Sequence, residues 1–131
     1  MSRLLLDTHI WLWSLGSPER VSPAVRSAIV DADEVVLSVA CIWEVGIKHT
    51  MGKLPLGAGV RALVDEAVRE LRARVLPIEV DHVIEAAGLP MHHRDPFDRL
   101  LVAQARTEGL TLVTVDEALR PYDVPRLWAA A

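Results

Sequence analysis

Cysteine is almost absent: Cys41 is the only one in 131 residues. No internal disulfide can form, which fits a reducing compartment such as the cytoplasm. Positive charge is also short, with 14 Lys and Arg against 18 Asp and Glu, a net charge of −4. That balance argues against broad electrostatic attraction to nucleic acid but leaves room for a local basic rim. Long apolar runs are missing. The longest, from Val35 to Trp43, is interrupted by Ser38 and is too short to cross a bilayer. The apolar start Leu4-Leu5-Leu6 is broken at once by Asp7, with no cleavage pattern after it, so no secretory signal is expected. Repeats and low-complexity tracts are absent as well. What is present is a large apolar share, 51%, too high for disorder. A chain of this length buries roughly two-thirds of its unfolded surface, enough for a core without staples. One domain, not inserted in a membrane, is the expectation.

Strand and helix signals alternate along the chain. Arg3 to Leu6 reads as a short buried strand ending at Asp7, followed by a helix with Ile10, Trp11, Leu12 and Trp13. Ser17-Pro18 marks a break. Ser22-Pro23 is an N-cap with Pro in the first turn, opening a helix to about Asp31. Val35 to Val39 is β-branched and predicts a strand, and Ala40 to about Met51 a helix. A glycine-rich loop runs to Gly59, and an amphipathic helix covers Val60 to Arg74. Arg74 to Ile78 predicts a weaker strand, at an edge or with a bend, because Pro77 cannot donate to a ladder. A short helix from Asp81 to Gly88 is expected to be capped by Asp81. Asp95-Pro96 then opens a helix stopped by Gly109, and Thr111 to Val115 is the last clear strand. This order predicts an α/β fold, a central parallel sheet flanked by helices on both faces.

Such sheets bind ligands beyond the C-terminal ends of their strands. Asp7 and Asp116 follow strands directly, and Glu44 lies about one turn into the helix after the second strand. Asp98 is at the third position of its helix. Each acid also has a plain structural explanation. Asp7 or Thr8 can cap the helix that follows, and Glu44 can pair with Lys48 at i,i+4. Asp98 suits a helix N-terminus, although Asp95 already serves as the cap, and Asp116 can cap a turn through Leu119. Together they mean more. Carboxylates about 4 Å apart repel by roughly 4 kcal/mol per pair at an effective dielectric of 20. A hard divalent cation such as Mg²⁺ or Mn²⁺ removes that repulsion, and its use points to phosphate chemistry. Lys48, Lys53, Arg94 and Arg99 are candidates for a basic rim.

Other constellations carry less. His92-His93 beside Asp95 are adjacent loop histidines, and His9, His49 and His82 show no metal spacing. Ser38 and Cys41 read as packed residues rather than nucleophiles. The four tryptophans read as core rather than base-stacking surfaces; Trp128, in the tail, fits this least well.

The residues also resemble a known family. Leu6-Asp7-Thr8-His9 followed by Trp11-Leu12-Trp13 looks like the opening of a PIN-domain ribonuclease. Leu37-Ser38-Val39 through Trp43-Glu44-Val45 resembles its second acidic motif. Asp95-Pro96-Phe97-Asp98-Arg99-Leu100-Leu101-Val102-Ala103 resembles the third, and Leu112-Val113-Thr114-Val115-Asp116 the last. Four motifs in order over nearly the whole chain are similar to the VapC toxins of toxin–antitoxin pairs. His9 departs from the pattern, since many members have Asn or Ser there. The resemblance implies Mg²⁺- or Mn²⁺-dependent cleavage of RNA, with Asp7, Glu44, Asp98 and Asp116 as catalytic metal ligands. The metal would lower the pKa of a bound water and stabilise charge on the phosphate. Thr8 and Thr114 are candidates to hydrogen-bond the acids, and Lys48 and Arg99 to contact RNA. A homodimer and a cognate VapB-like antitoxin are implied too.

Rival readings fit less well. A receiver domain wants a paired acid after the first strand and a late lysine; here Thr8 follows Asp7 and the last strand ends without lysine. An Asp-x-Asp phosphatase needs an acid at position 9, which is histidine. A non-catalytic RNA- or protein-binding module on the same fold is the remaining alternative.

Overall fold

Leu4, Leu5 and Leu6 are almost entirely shielded from solvent, as a strand covered on both faces requires. In the computed structural model, which describes residues 2–53, 57, 59–91 and 95–129, they form β1 (Arg3–Leu6). The chain continues through α1 (Thr8–Gly16), a 3-10 turn at Pro18–Arg20, α2 (Pro23–Asp31), β2 (Glu34–Ser38), α3 (Val39–Thr50) and α4 (Gly59–Glu70). Then come β3 (Ala73–Leu76), α5 (Val80–Gly88), α6 (Pro96–Glu108), β4 (Thr111–Thr114), a 3-10 turn at Glu117–Leu119 and β5 (Arg126–Trp128).

The five strands form one sheet in the order β3-β2-β1-β4-β5, with every pairing parallel. Leu5 pairs with Val36 on one side and Leu112 on the other. The crossovers from β1 to β2 and β2 to β3 run one way, and the chain then returns past β1 to place β4. Right-handed crossovers therefore put α1–α4 and α5–α6 on opposite faces. Each fully buried Leu or Val of the central strands contributes about 1.5–3 kcal/mol.

Several local expectations hold. Ser22 accepts a hydrogen bond from the Val25 N–H at 3.3 Å and Pro23 opens α2. β3 lies at the sheet edge as expected, although it runs Ala73–Leu76 rather than Arg74 to Ile78 and leaves Pro77 outside the ladder. Asp95 accepts from the Phe97 N–H at 2.9 Å, and Gly109 ends α6 in the left-handed conformation (φ 67°). Others are corrected. Val39 belongs to α3 rather than β2, because the Ser38 hydroxyl caps the helix by accepting from the Ala40 N–H. α4 stops at Glu70, short of Arg74, and Arg72 then takes a positive φ of 56°. Glu79, not Asp81, caps α5; its N–H donates to Nδ1 of His82 at 3.0 Å. The tail carries a fifth strand that the sequence reading missed: Leu127 pairs with Val113.

Candidate metal centre

Asp7 ends β1 and caps α1. Its Oδ1 accepts from the Thr8 N–H at 2.6 Å, and its Oδ2 from the Thr114 hydroxyl at 2.7 Å. Only 4% of Asp7 is exposed. Burial is the main reason its carboxyl is held above the ordinary aspartate range; the Thr114 and Thr8 hydrogen bonds pull the other way, and the negative charge of Glu44 adds to the rise. This position lies beyond the C-terminal ends of the paired strands β1 and β4, where the strand order changes direction and parallel sheets open a crevice.

The other acids arrive from separate elements. Glu44, 8% exposed, projects from α3 and accepts from the Thr8 hydroxyl at 2.6 Å and from Lys48 Nζ at 3.2 Å. Asp98, 9% exposed, sits in the first turn of α6, where Asp95 supplies the cap. Asp116 follows β4, accepts from the Ala118 N–H at 2.9 Å, and donates its own N–H to the Thr114 hydroxyl at 3.0 Å. All four line one cleft of about 220 Å³, together with Thr8, His9, Lys48 and Asp95. The capping roles of Asp7 and Asp116 are therefore real and coexist with convergence.

Among the described residues, no three carboxylate, imidazole or thiol groups already stand close enough to enclose an ion. The donor set nonetheless suits a hard cation: five carboxylates, counting the helix-capping Asp95, line a small cleft, and Asp7 is buried where its charge is disfavoured. A larger groove of about 680 Å³ lies between α3 and α4, lined by Ile42, Val60, Val64, Val68 and Val75 with Arg61, Asp65 and Arg69. Apolar walls give it size without convergent acids, so the smaller cleft is the candidate site.

Thr8 and Thr114 stand where the sequence placed them, each donating to an acid. Lys48 lines the cleft, whereas Lys53 is exposed beyond α3 and is not among its lining residues. Arg94, His92 and His93 lie outside the described residues. Arg99 is a correction. Its side chain is buried and donates to the carbonyls of Ala86, Leu89 and Pro90 and to the Tyr122 hydroxyl, at 2.8–3.3 Å. It clamps the end of α5 to α6 instead of joining a basic rim.

Cys41 is buried, and desolvation pushes its thiol far up, so it stays protonated and inert. The Ser38 hydroxyl is spent on Gln104 and its own helix. Trp11 is core as expected, but Trp43 is 61% exposed and meets Phe97 edge-on at 5.4 Å. That pair joins α3 to α6 beside Glu44 and Asp98. The departure from a core reading was visible in its place next to the polar side of the α3 sequence. His9 and Asp95 also line the cleft, which spacing alone did not reveal.

Residues 4–125 match the PIN-domain family. The chain is also 31% identical over 127 residues to Ribonuclease VapC22 of Mycobacterium tuberculosis, covering 96% of each protein. This chain belongs to the PIN-domain family, in its VapC branch. Solved structures agree on the PIN fold. VapBC2 from Rickettsia felis, bound to a DNA fragment from its promoter, superposes with a TM-score of 0.70 at 14% identity, covering 96% of this chain and 98% of that one. DNA-bound VapBC from Salmonella typhimurium gives 0.68 at 18%, covering 97% and 98%. At those identities the likeness is one of fold. The PIN motifs and the cleft coincide: each of the four acids belongs to one of the four motif segments and lines the same opening.

Proposed function

We propose that this VapC-branch PIN protein, the toxin of a type II toxin–antitoxin system, is an endoribonuclease that hydrolyses RNA phosphodiester bonds with Mg²⁺ or Mn²⁺ held by Asp7, Glu44, Asp98 and Asp116. The observation that carries this reading is the single cleft lined by all four acids at the strand-order reversal. A divalent cation bound there supplies an activated water and charge stabilisation at the phosphate. The chain's own residues prepare the place. Thr114 and the Thr8 N–H fix both oxygens of Asp7, and the Thr8 hydroxyl orients Glu44. Lys48 brings a positive charge to a cleft that would otherwise repel a phosphodiester.

The whole chain acts as one domain in the cytoplasm. Its partner is a VapB-like antitoxin, in keeping with the VapBC complexes that share its fold. Among the described residues no helix is long and apolar enough to cross a membrane. A second copy completes the assembly. The outer face of α5 supports this pairing: Val80, Val83 and Ile84 are exposed at helical spacing, and Met91 extends the patch.

The test is cleavage of total RNA by purified, antitoxin-free protein. Asp7→Asn and Asp98→Asn are expected to lose more than about 100-fold in activity, with an unchanged circular dichroism spectrum. Full activity of either variant in Mg²⁺ rejects the site. If the wild type binds neither Mn²⁺ nor Mg²⁺ at millimolar concentration, the non-catalytic module becomes the better reading.

A further inference from the structure

His9 makes no hydrogen bond to the acids among the described residues, although it acts electrostatically on Asp7; it is exposed and lines their cleft. Among the described residues its imidazole has no hydrogen-bond partner. Its ring neighbour is Trp13, one turn further along α1, with centroids 5.5 Å apart and planes tilted by 36°. The guanidinium of Arg20 covers the same indole at 4.0 Å from its centroid. Other arginines on the surface, such as Arg61, Arg106 and Arg120, pair with carboxylates. Arg20 is paired with none among the described residues. An imidazole, an indole and a guanidinium therefore form one strip leading out of the cleft.

We propose that His9, Trp13 and Arg20 form a subsite for one unpaired nucleotide next to the scissile phosphate, its base against the His9 ring and its phosphate served by Arg20. The proposal rests on the RNA-cutting reading above. Its physical basis is that single strands bind through aromatic stacking and nearby cations, contacts that tolerate any base. Attraction has to be local here. The chain carries a net charge of −4, and Lys48 is already tied to Glu44. A polar ring with no hydrogen bond among the described residues at the edge of an acidic cleft, backed by a guanidinium that pairs with no described carboxylate, meets that need. The competing role is purely structural: the strip pins the 3-10 turn at Pro18–Arg20 to α1.

The experiment uses full-length Asp98→Asn protein in Mg²⁺ and a labelled single-stranded oligoribonucleotide spanning a cleavage site mapped with the wild type. A twin probe carries an abasic ribose beside the scissile phosphate. Adding His9→Ala is expected to weaken binding of the intact probe by between about five-fold and a hundred-fold. His9→Phe, which keeps a stacking face, should restore most of it. On the abasic probe the proteins with and without His9→Ala should bind alike, a result that mere helix packing would not produce. Arg20→Ala should lower the salt slope of binding by about 0.7, the effect of one lost phosphate contact on a single strand. Equal binding by His9→Ala, failure of His9→Phe to recover, or a loss that persists on the abasic probe would overturn the subsite while leaving the nuclease intact. If the wild type cuts no RNA with any divalent metal, the functional reading fails and the subsite falls with it.

Discussion

Thr114 is fully buried and its hydroxyl is used twice: it donates to Asp7 Oδ2 and accepts the Asp116 N–H. One side chain thus links two of the four acids at the C-terminal ends of the paired strands β1 and β4. Thr114→Val keeps the shape and removes both bonds, stranding a buried carboxylate oxygen and a backbone N–H. We expect a loss of about 1–3 kcal/mol in unfolding free energy and about 10–100-fold in cleavage. Thermal melts and initial rates check this; wild-type values in both would show that the hydroxyl does not support Asp7. Neither acid's capping role was in conflict with the site, since a helix N-terminus favours the same negative charge that a metal needs. Arg99 teaches the opposite lesson. Beside Asp98 in sequence, it turns to the carbonyl ends of α5, because a helix leaves its last carbonyls unpaired and a guanidinium can satisfy several at once.

At the scale of elements, β1, α2 and α6 were legible because their signals are local: an unbroken apolar triplet, Ser-Pro, and Asp-Pro with a closing Gly. β5 was not, since a three-residue strand owes its existence to the open edge of β4. The sheet's other end is tied by charge. Glu34 on β2 accepts from Arg3 of β1 at 2.8 Å and pairs with Arg74 of β3. Those hydrogen bonds, Arg3 first, hold its carboxyl below the ordinary glutamate value. A lowered folded pKa stabilises above the unfolded value, near 4.5, and that contribution disappears as pH falls through the folded pKa. Glu34→Gln should therefore lower the melting temperature at pH 7 and matter much less at pH 3. An equal deficit at both pH values would refute the ionic contribution. The expected deficit is modest, below about 1 kcal/mol, because the groups are part-exposed.

For the whole molecule, the reversal of strand order converts a scattered sequence pattern into a cleft. The same fold leaves the outer face of α5 apolar and uncovered. If a second copy occupies that face, Ile84→Asp should turn a dimer into a monomer in analytical ultracentrifugation without lowering the unfolding free energy of the subunit by more than about 0.5 kcal/mol. A wild type that sediments as a monomer at micromolar concentration would remove the pairing.

The amino-acid sequence alone determined the alternation of strands and helices, the four acidic motifs and the Thr residues beside two of them. Those are matters of local periodicity, capping chemistry and residue type. Tertiary structure decided which polar neighbours face the acids. It buried Arg99, exposed Trp43, brought His9 into the cleft and stacked Trp13 with Arg20. The direction of a side chain depends on which element packs against it, and that information is shared between distant segments rather than written in any one of them.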